Sequence, residues 1–130
     1  MASTTIPTYT PGVANAIRAL STLAASGTAS YDIDYSAAYG GWLHIIGTFG
    51  TIAATNGLQI EIFKYYGSTP TLATNAWQTF TIPGTASTTK DIDIPLPTGK
   101  WSVKLTNLDG TNALTNVGIT SDVITNQATT

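Results

Sequence analysis

Residues 90–107 read KDIDIPLPTGKWSVKLTN. The first half alternates Ile92, Ile94 and Leu96 against Asp91 and Asp93. The second alternates Trp101, Val103 and Leu105 against Ser102, Lys104 and Thr106. Period-two alternation puts one set of side chains on each face of a strand, so each half is a strand with one apolar and one wet face. Pro97, Thr98 and Gly99 between them supply the fixed and positive φ values of a turn.

The same grammar extends in both directions. Tyr31, Ile33 and Tyr35 alternate with Ser30, Asp32 and Asp34; Leu58, Ile60 and Ile62 with Gln59 and Glu61; Phe80 and Ile82 with Trp77, Thr79 and Thr81. The nearly continuous apolar run GGWLHIIGTF (residues 40–49) predicts a central strand, and NVGITSDVIT (residues 116–125) a last one, with Gly118 and Ser121-Asp122 hinting at a bulge. Turn residues separate the runs: Tyr39-Gly40-Gly41, Asn56-Gly57, Gly67-Ser68-Thr69-Pro70, Pro83-Gly84 and Asp109-Gly110. Seven to eight short strands in one domain of 130 residues predict an all-β protein, a single antiparallel β-sandwich of jelly-roll type over residues 26–130.

Residues 1–25 stand apart. MASTTIPTYTPG is Thr- and Pro-rich and reads as an extended arm, whereas Val13, Ile17, Leu20 and Ala24 fall at helical intervals behind Thr10 as N-cap and Pro11 as first helical residue. A short helix and an irregular extended lead-in both fit. Without core-forming periodicity, Thr4, Thr5, Ile6, Pro7 and Tyr9 are candidate contacts to a partner.

Charged residues make up only 9% of the chain, and the net charge is −2. Five scattered Lys and Arg cannot track a phosphate backbone, which excludes a nucleic-acid partner. No apolar run approaches the ~18 residues of a membrane span. The opening residues lack the basic and apolar regions of a signal peptide, so the expectation is synthesis in the cytoplasm without export. With no cysteine there is neither a disulfide framework nor a thiolate metal site.

Four of the seven acidic residues, Asp32, Asp34, Asp91 and Asp93, lie in two Asp-Ile-Asp triplets. Ca²⁺ takes six to eight oxygen ligands, commonly from a loop with closely spaced carboxylates and a Gly turn. These triplets fall in alternating strands, so solvent-facing alternation accounts for all four and no metal site is expected. Glycosidase chemistry needs two carboxylates facing each other across a bond, and only Glu61 with an Asp could supply them. The single His44 gives a triad or metal cluster one member at most. The expectation is therefore no catalytic residue, no cofactor and no enzyme. Aromatic residues are more informative: Trp42 and Trp101 begin strands beside apolar partners and are expected in the core or at its rim. Tyr65 and Tyr66 precede Gly67 at a strand end and straddle both faces, so one ring is expected to be exposed as a partner contact, with glycan stacking as one use.

The segments ALSTLAASGTASYDIDYSAAYGG (residues 19–41), LQIEIFKYYGSTPTLATNAWQTFTIPG (residues 58–84) and DIDIPLPTGKWSVKLTNLDGTNALTNVGI (residues 91–119) together resemble small jelly-roll virion proteins of tailed bacteriophages that decorate or cement the head. Within the last, IPLPTGKWSVKLTN resembles their recurring penultimate hairpin. The resemblance implies a non-enzymatic capsid decoration subunit on the outer head surface, binding the major capsid protein or other virion proteins and oligomerising, with a trimer suited to local threefold positions. It transfers no site residue. A head or tail fibre or adaptor component, and a glycan-binding β-sandwich module, are the alternatives.

Overall fold

The computed structural model describes the backbone of residues 4–49, 57–85 and 87–129, and the side-chain surroundings of residues 17–49, 57–85 and 87–124. The described residues form nine strands, against the seven to eight predicted: β1 (Thr4–Leu23), β2 (Thr28–Asp34), β3 (Gly40–Phe49), β4 (Leu58–Tyr66), β5 (Thr71–Leu72), β6 (Gln78–Ile82), β7 (Thr89–Pro97), β8 (Lys100–Asn107) and β9 (Leu114–Thr129). All pairings are antiparallel.

One sheet has the order β1-β9-β3-β7. In the other β2, β8 and β4 are neighbours, and β6 and β5 pair successive parts of β4. The pairing is nested: β1 with β9, β2 with β8, β3 with β7 and β4 with β6. That nesting, divided between two sheets, is the jelly-roll topology, so the predicted fold class holds. The turn at residues 97–99 does not close a hairpin. β7 pairs with β3 and β8 with β2 and β4, so the turn carries the chain from one sheet to the other. The hairpin suggested by the resemblance is corrected on this point, because each strand finds its apolar partner across a different neighbour.

Alternation places the core. Leu43, Ile45, Ile94 and Ile119 from one sheet face Ile60, Ile62, Val103 and Leu105 from the other, each at most 1% exposed. Removing such side chains from water is the main stabilising term, about 1.5–3 kcal/mol for each fully buried one. Two basic side chains tie the sheets together at their open sides. Arg18 donates from Nη1 to the Tyr31 hydroxyl at 2.6 Å and from Nε to the Val117 carbonyl at 3.1 Å. Lys90 donates to the Pro83 carbonyl at 3.0 Å and to Thr85 Oγ1 at 2.9 Å.

The helix allowed for residues 11–24 is not formed; β1 runs through residues 11–23, as the extended alternative had it. The competing interaction is long-range: β9 offers a 16-residue edge, and a helix would leave its backbone groups unpaired. The poor local strand pattern surfaces instead as register shifts between Thr10 and Asn15 and at three later steps of β1. The bulge expected in β9 thus lies mostly in its partner; against β3, β9 shifts only at Thr48/Phe49. The shifts turn Leu23 into the core and leave Leu20 outside, 61% exposed.

Candidate binding surface

At one end of the sandwich β2 leaves, β3 enters, β4 leaves and β8 enters, as the pairs Gly40↔Pro97, Gly41↔Val123, Asp34↔Lys100 and Lys64↔Trp101 establish. Tyr35 plugs this end. Its ring is 2% exposed, and its hydroxyl meets Ser121 Oγ and lies 3.4 Å from the Trp42 carbonyl. The Tyr35 carbonyl accepts from Thr98 Oγ1 at 2.9 Å and from the Gly99 amide at 3.2 Å, which locks the β7–β8 turn onto the β2–β3 loop. Glycine is required at position 41, where a Cβ would lie 2.6 Å from Tyr35 Cζ. Burial pushes the Tyr35 phenol above its ordinary pKa.

Around this plug stand five of the six large apolar side chains that the described residues expose: Tyr39, Trp42, Tyr66, Leu72 and Trp77. The sixth, Leu20, lies over Gly118 on the outer face of the β1-β9-β3-β7 sheet. Trp77 is held by its amide, which donates to the Ile62 carbonyl at 2.7 Å. Its indole lies 4.8 Å, centroid to centroid, from that of buried Trp101, at 49° between planes. Trp101 is anchored in turn by its Nε1–H, which donates to the Pro97 carbonyl at 3.0 Å. The exposed ring is therefore braced from behind by a fixed one.

Polar groups of both signs gather at the same end, around Tyr65 and Trp101. The Tyr65 hydroxyl donates to Asp32 Oδ1 at 2.8 Å, and Lys100 Nζ stands 4.6 Å from the Tyr65 ring centroid and 3.9 Å from Asp32 Oδ2. Donation to the Asp32 carboxylate, with lesser help from burial, raises the Tyr65 pKa. Asp34 is held below the ordinary carboxyl value by hydrogen bonds from the Ser36 side chain and amide. Lys64 Nζ lies 5.8 Å from the Trp101 centroid. Exposed rings can stack on an apolar face, and carboxylates, ammonium groups and hydroxyls at the same end can hydrogen-bond its rim.

Of the predicted contact residues, Tyr66 is 58% exposed, whereas Tyr65 is half-buried and engaged with Asp32 and Lys100. The backbone of Thr4, Thr5, Ile6, Pro7 and Tyr9 pairs with β9; their side chains lie outside the described residues. Trp101 is in the core as expected, but Trp42 is 40% exposed. Parity could have placed it: Trp42 shares the outward register of His44 and Thr48, opposite Leu43 and Ile45. Ile46, also outward, disguised that alternation. Alternation sets Trp77 with Thr79 and Thr81 on the wet face, but nothing local signals that its ring turns back onto Trp101 from outside a strand.

The two Asp triplets occupy different sheets, so the four carboxylates do not meet. Asp91 and Asp93 flank His44, with Asp93 Oδ1 2.7 Å from Nδ1 and Asp91 Oδ2 3.5 Å from Nε2. Each carboxylate faces a different ring nitrogen, so the three groups enclose the imidazole and do not converge on a point where an ion could sit. Away from this end, a groove of about 380 Å³ between β6 and β7 is lined by Thr81, Ile82, Pro83, Thr89, Lys90, Asp91 and Ile92.

No family model matches the chain. No curated protein matches it either. Among solved structures, the CBM36-1 domain of a multidomain xylanase from the hindgut metagenome of Trinervitermes trinervoides is 13% identical, with 93% of this chain and 96% of that chain covered and a TM-score of 0.42. A second structure, described as CBM4 structure and function, is 10% identical over 92% of this chain and 81% of that one, with a TM-score of 0.41. The jelly-roll assignment rests on the strand order itself, and the chemistry of the surface on the residues above.

Proposed function

We propose that this protein is a non-catalytic recognition module that binds a glycan at the end of the jelly roll bearing Trp77, Tyr66, Trp42 and Tyr39. The observation that carries this reading is the concentration of exposed aromatic rings at the end of the fold where Asp32, Asp34, Lys64 and Lys100 also stand on the strand ends. Sugar rings present an apolar C–H face and a rim of hydroxyls, and this pairing of braced rings with short polar side chains suits both. The test is affinity electrophoresis of the protein through gels containing soluble polysaccharides. Retardation by at least one polysaccharide, abolished in Trp77→Ala, supports the reading; migration unaffected by a broad panel overturns it.

A second reading, a decoration subunit on the outer head of a tailed bacteriophage, is favoured by a different feature. β1 and β9 continue as a two-stranded ribbon, Thr4↔Thr129 to Tyr9↔Ile124, past the last residue that β3 pairs. Such a ribbon suits contact with the major capsid protein or a neighbouring virion subunit, with many weak contacts repeated by symmetry giving avidity. Counting copies per purified particle by quantitative mass spectrometry tests it: hundreds support decoration, a dozen or fewer point to a fibre or adaptor, and none removes the virion reading.

A further inference from the structure

The ribbon poses a physical problem of its own. Two strands alone are marginal in water, and a third strand or a packed face is what ordinarily holds them. β3 supplies that third strand to β9 only as far as Val123, and the Tyr39 amide then takes the Ile124 carbonyl at 2.9 Å. Among the described residues, the side of β9 away from β1 is unpaired over residues 125–129.

Exposed strand edges are ordinarily blunted by charge, proline, irregularity or shortness. The other edges of this fold follow that rule. β7 carries Lys90, Asp91, Asp93, Pro95 and Pro97; β2 carries Asp32 and Asp34; β1 has Pro7, Pro11 and its register shifts; β5 and β6 are two and five residues long. Residues 125–129, TNQAT, have none of these devices, and no charged side chain occurs from residue 123 to residue 130 or from residue 1 to residue 17.

We infer that residues 125–129 of β9 form a self-association edge, pairing antiparallel with the same segment of a second copy of this chain. A segment paired antiparallel with itself generates a two-fold axis, the self-complementary arrangement of closed dimers. The joined ribbons become one four-stranded sheet in the order β1-β9-β9-β1, which removes both the marginal ribbon and the unprotected edge. A second copy is the fitting occupant because each molecule presents the matching edge once, and an uncharged Thr/Asn/Gln segment sets up no repulsion against itself. Centred on residues 125–129, the pairing puts Gln127 opposite Gln127 of the other copy. A two-fold dimer differs from the trimer implied by the virion resemblance, and it does not depend on the glycan reading.

The experiment is size-exclusion chromatography with light scattering on the full chain, at high micromolar protein, for wild type, Gln127→Lys and Gln127→Asn. The expected masses are twice the 13.5 kDa monomer for wild type and Gln127→Asn. Gln127→Lys is expected to be monomeric, because two like-charged lysines would stand directly opposite each other, with Cβ atoms about 5 Å apart across the axis. Hydrogen exchange provides the second readout: amides of residues 125–129 gain protection with protein concentration in wild type and Gln127→Asn but not in Gln127→Lys, while those of β8 stay protected in all three. A monomeric wild type, a trimer, or a dimer that survives Gln127→Lys with β8 protection intact overturns the inference.

Discussion

The Trp77 indole rests on that of Trp101 at 4.8 Å, the first 45% exposed and the second 2%. The two rings divide one task. Trp101 completes the core where β8 enters, and its Nε1–H pins the β7–β8 turn, while Trp77 presents a face to solvent on that support. The variants should separate accordingly. Trp101→Ala is expected to cost about 3–5 kcal/mol through lost burial and a residual cavity. Trp77→Ala is expected to cost about 1–2 kcal/mol, since an aromatic pair contributes 0.5–1.5 kcal/mol beyond burial, and to abolish ligand binding. Urea unfolding followed by far-UV circular dichroism measures both costs. Equal losses would mean that Trp77 is a core residue and no binding platform.

The buried Tyr35 phenol makes stability sensitive to alkali. Burial raises its pKa in the folded state above the ordinary value of 10.0 that it regains on unfolding. A raised folded pKa gives stability that is fully present below pH 10 and lost as pH rises through the folded value, because the unfolded chain releases its proton first. Stability is thus expected to fall above pH 10, and Tyr35→Phe to flatten that fall. Tyr65 is shifted in the same direction by Asp32, so a smaller slope remains until Tyr65→Phe is added. Urea midpoints between pH 8 and 11 provide the check, and an unchanged slope in Tyr35→Phe would count against the buried plug.

Most of the sandwich was legible because alternation is a local signal. Ile60, Ile62, Val103 and Leu105 announce an inward face, and each is fully buried. What lay beyond reach was set by partners distant in sequence. The stretch from Val13 to Ala24 fits a short helix and an extended lead-in equally, because the strand state of β1 there depends on the edge of β9, roughly a hundred residues away. The turn at residues 97–99 looked like a hairpin because nothing local distinguishes pairing across a turn from crossing between sheets. The candidate surface was half legible. One exposed ring in the Tyr65-Tyr66 pair is expected at the strand end, but parity groups Tyr66 with buried Leu58, Ile60 and Ile62 and so does not single it out. The bracing of Trp77 by Trp101 is a tertiary contact.

At the opposite end the same division shows in Asn107, a polar residue continuing the inward register of Trp101, Val103 and Leu105. It is fully buried, and its Nδ2 donates to the Asn112 carbonyl at 2.9 Å, to Ala24 at 3.2 Å and to Leu23 at 3.4 Å, while its Oδ1 accepts from the Asp109 amide at 3.1 Å. One side chain thus satisfies backbone groups of both the β1–β2 and β8–β9 loops. Asn107→Leu is expected to destabilise by about 2–4 kcal/mol despite adding apolar volume, since it strands several buried polar groups at about 1–3 kcal/mol each with partial relief by water. Asn107→Asp retains the acceptor but loses the donor and is expected to be no milder. Thermal unfolding of the two variants tests this, and a loss below about half a kcal/mol in Asn107→Leu would show that the loops find other partners.

The Asp-Ile-Asp triplets allow a sharper test than their alternation alone. Asp32 and Asp34 stand on β2 and Asp91 and Asp93 on β7, in different sheets, so no single ion can draw on all four. Within each triplet the carboxylates are occupied by protein partners: Asp32 by Tyr65 and Lys100, Asp34 by Ser36, and Asp91 and Asp93 by His44. A ligand that binds only the folded state raises its stability by RT ln(1 + [L]/Kd). Millimolar Ca²⁺ is therefore expected to leave the melting temperature unchanged, and EDTA likewise. Asp93→Asn removes one exposed partner of His44 and is expected to cost no more than about 1 kcal/mol, the usual worth of a surface pair. A calcium-dependent rise of several degrees that Asp93→Asn abolishes would require the imidazole to swing out from between its two carboxylates and an ion to take its place. Differential scanning fluorimetry with and without Ca²⁺ decides between the two.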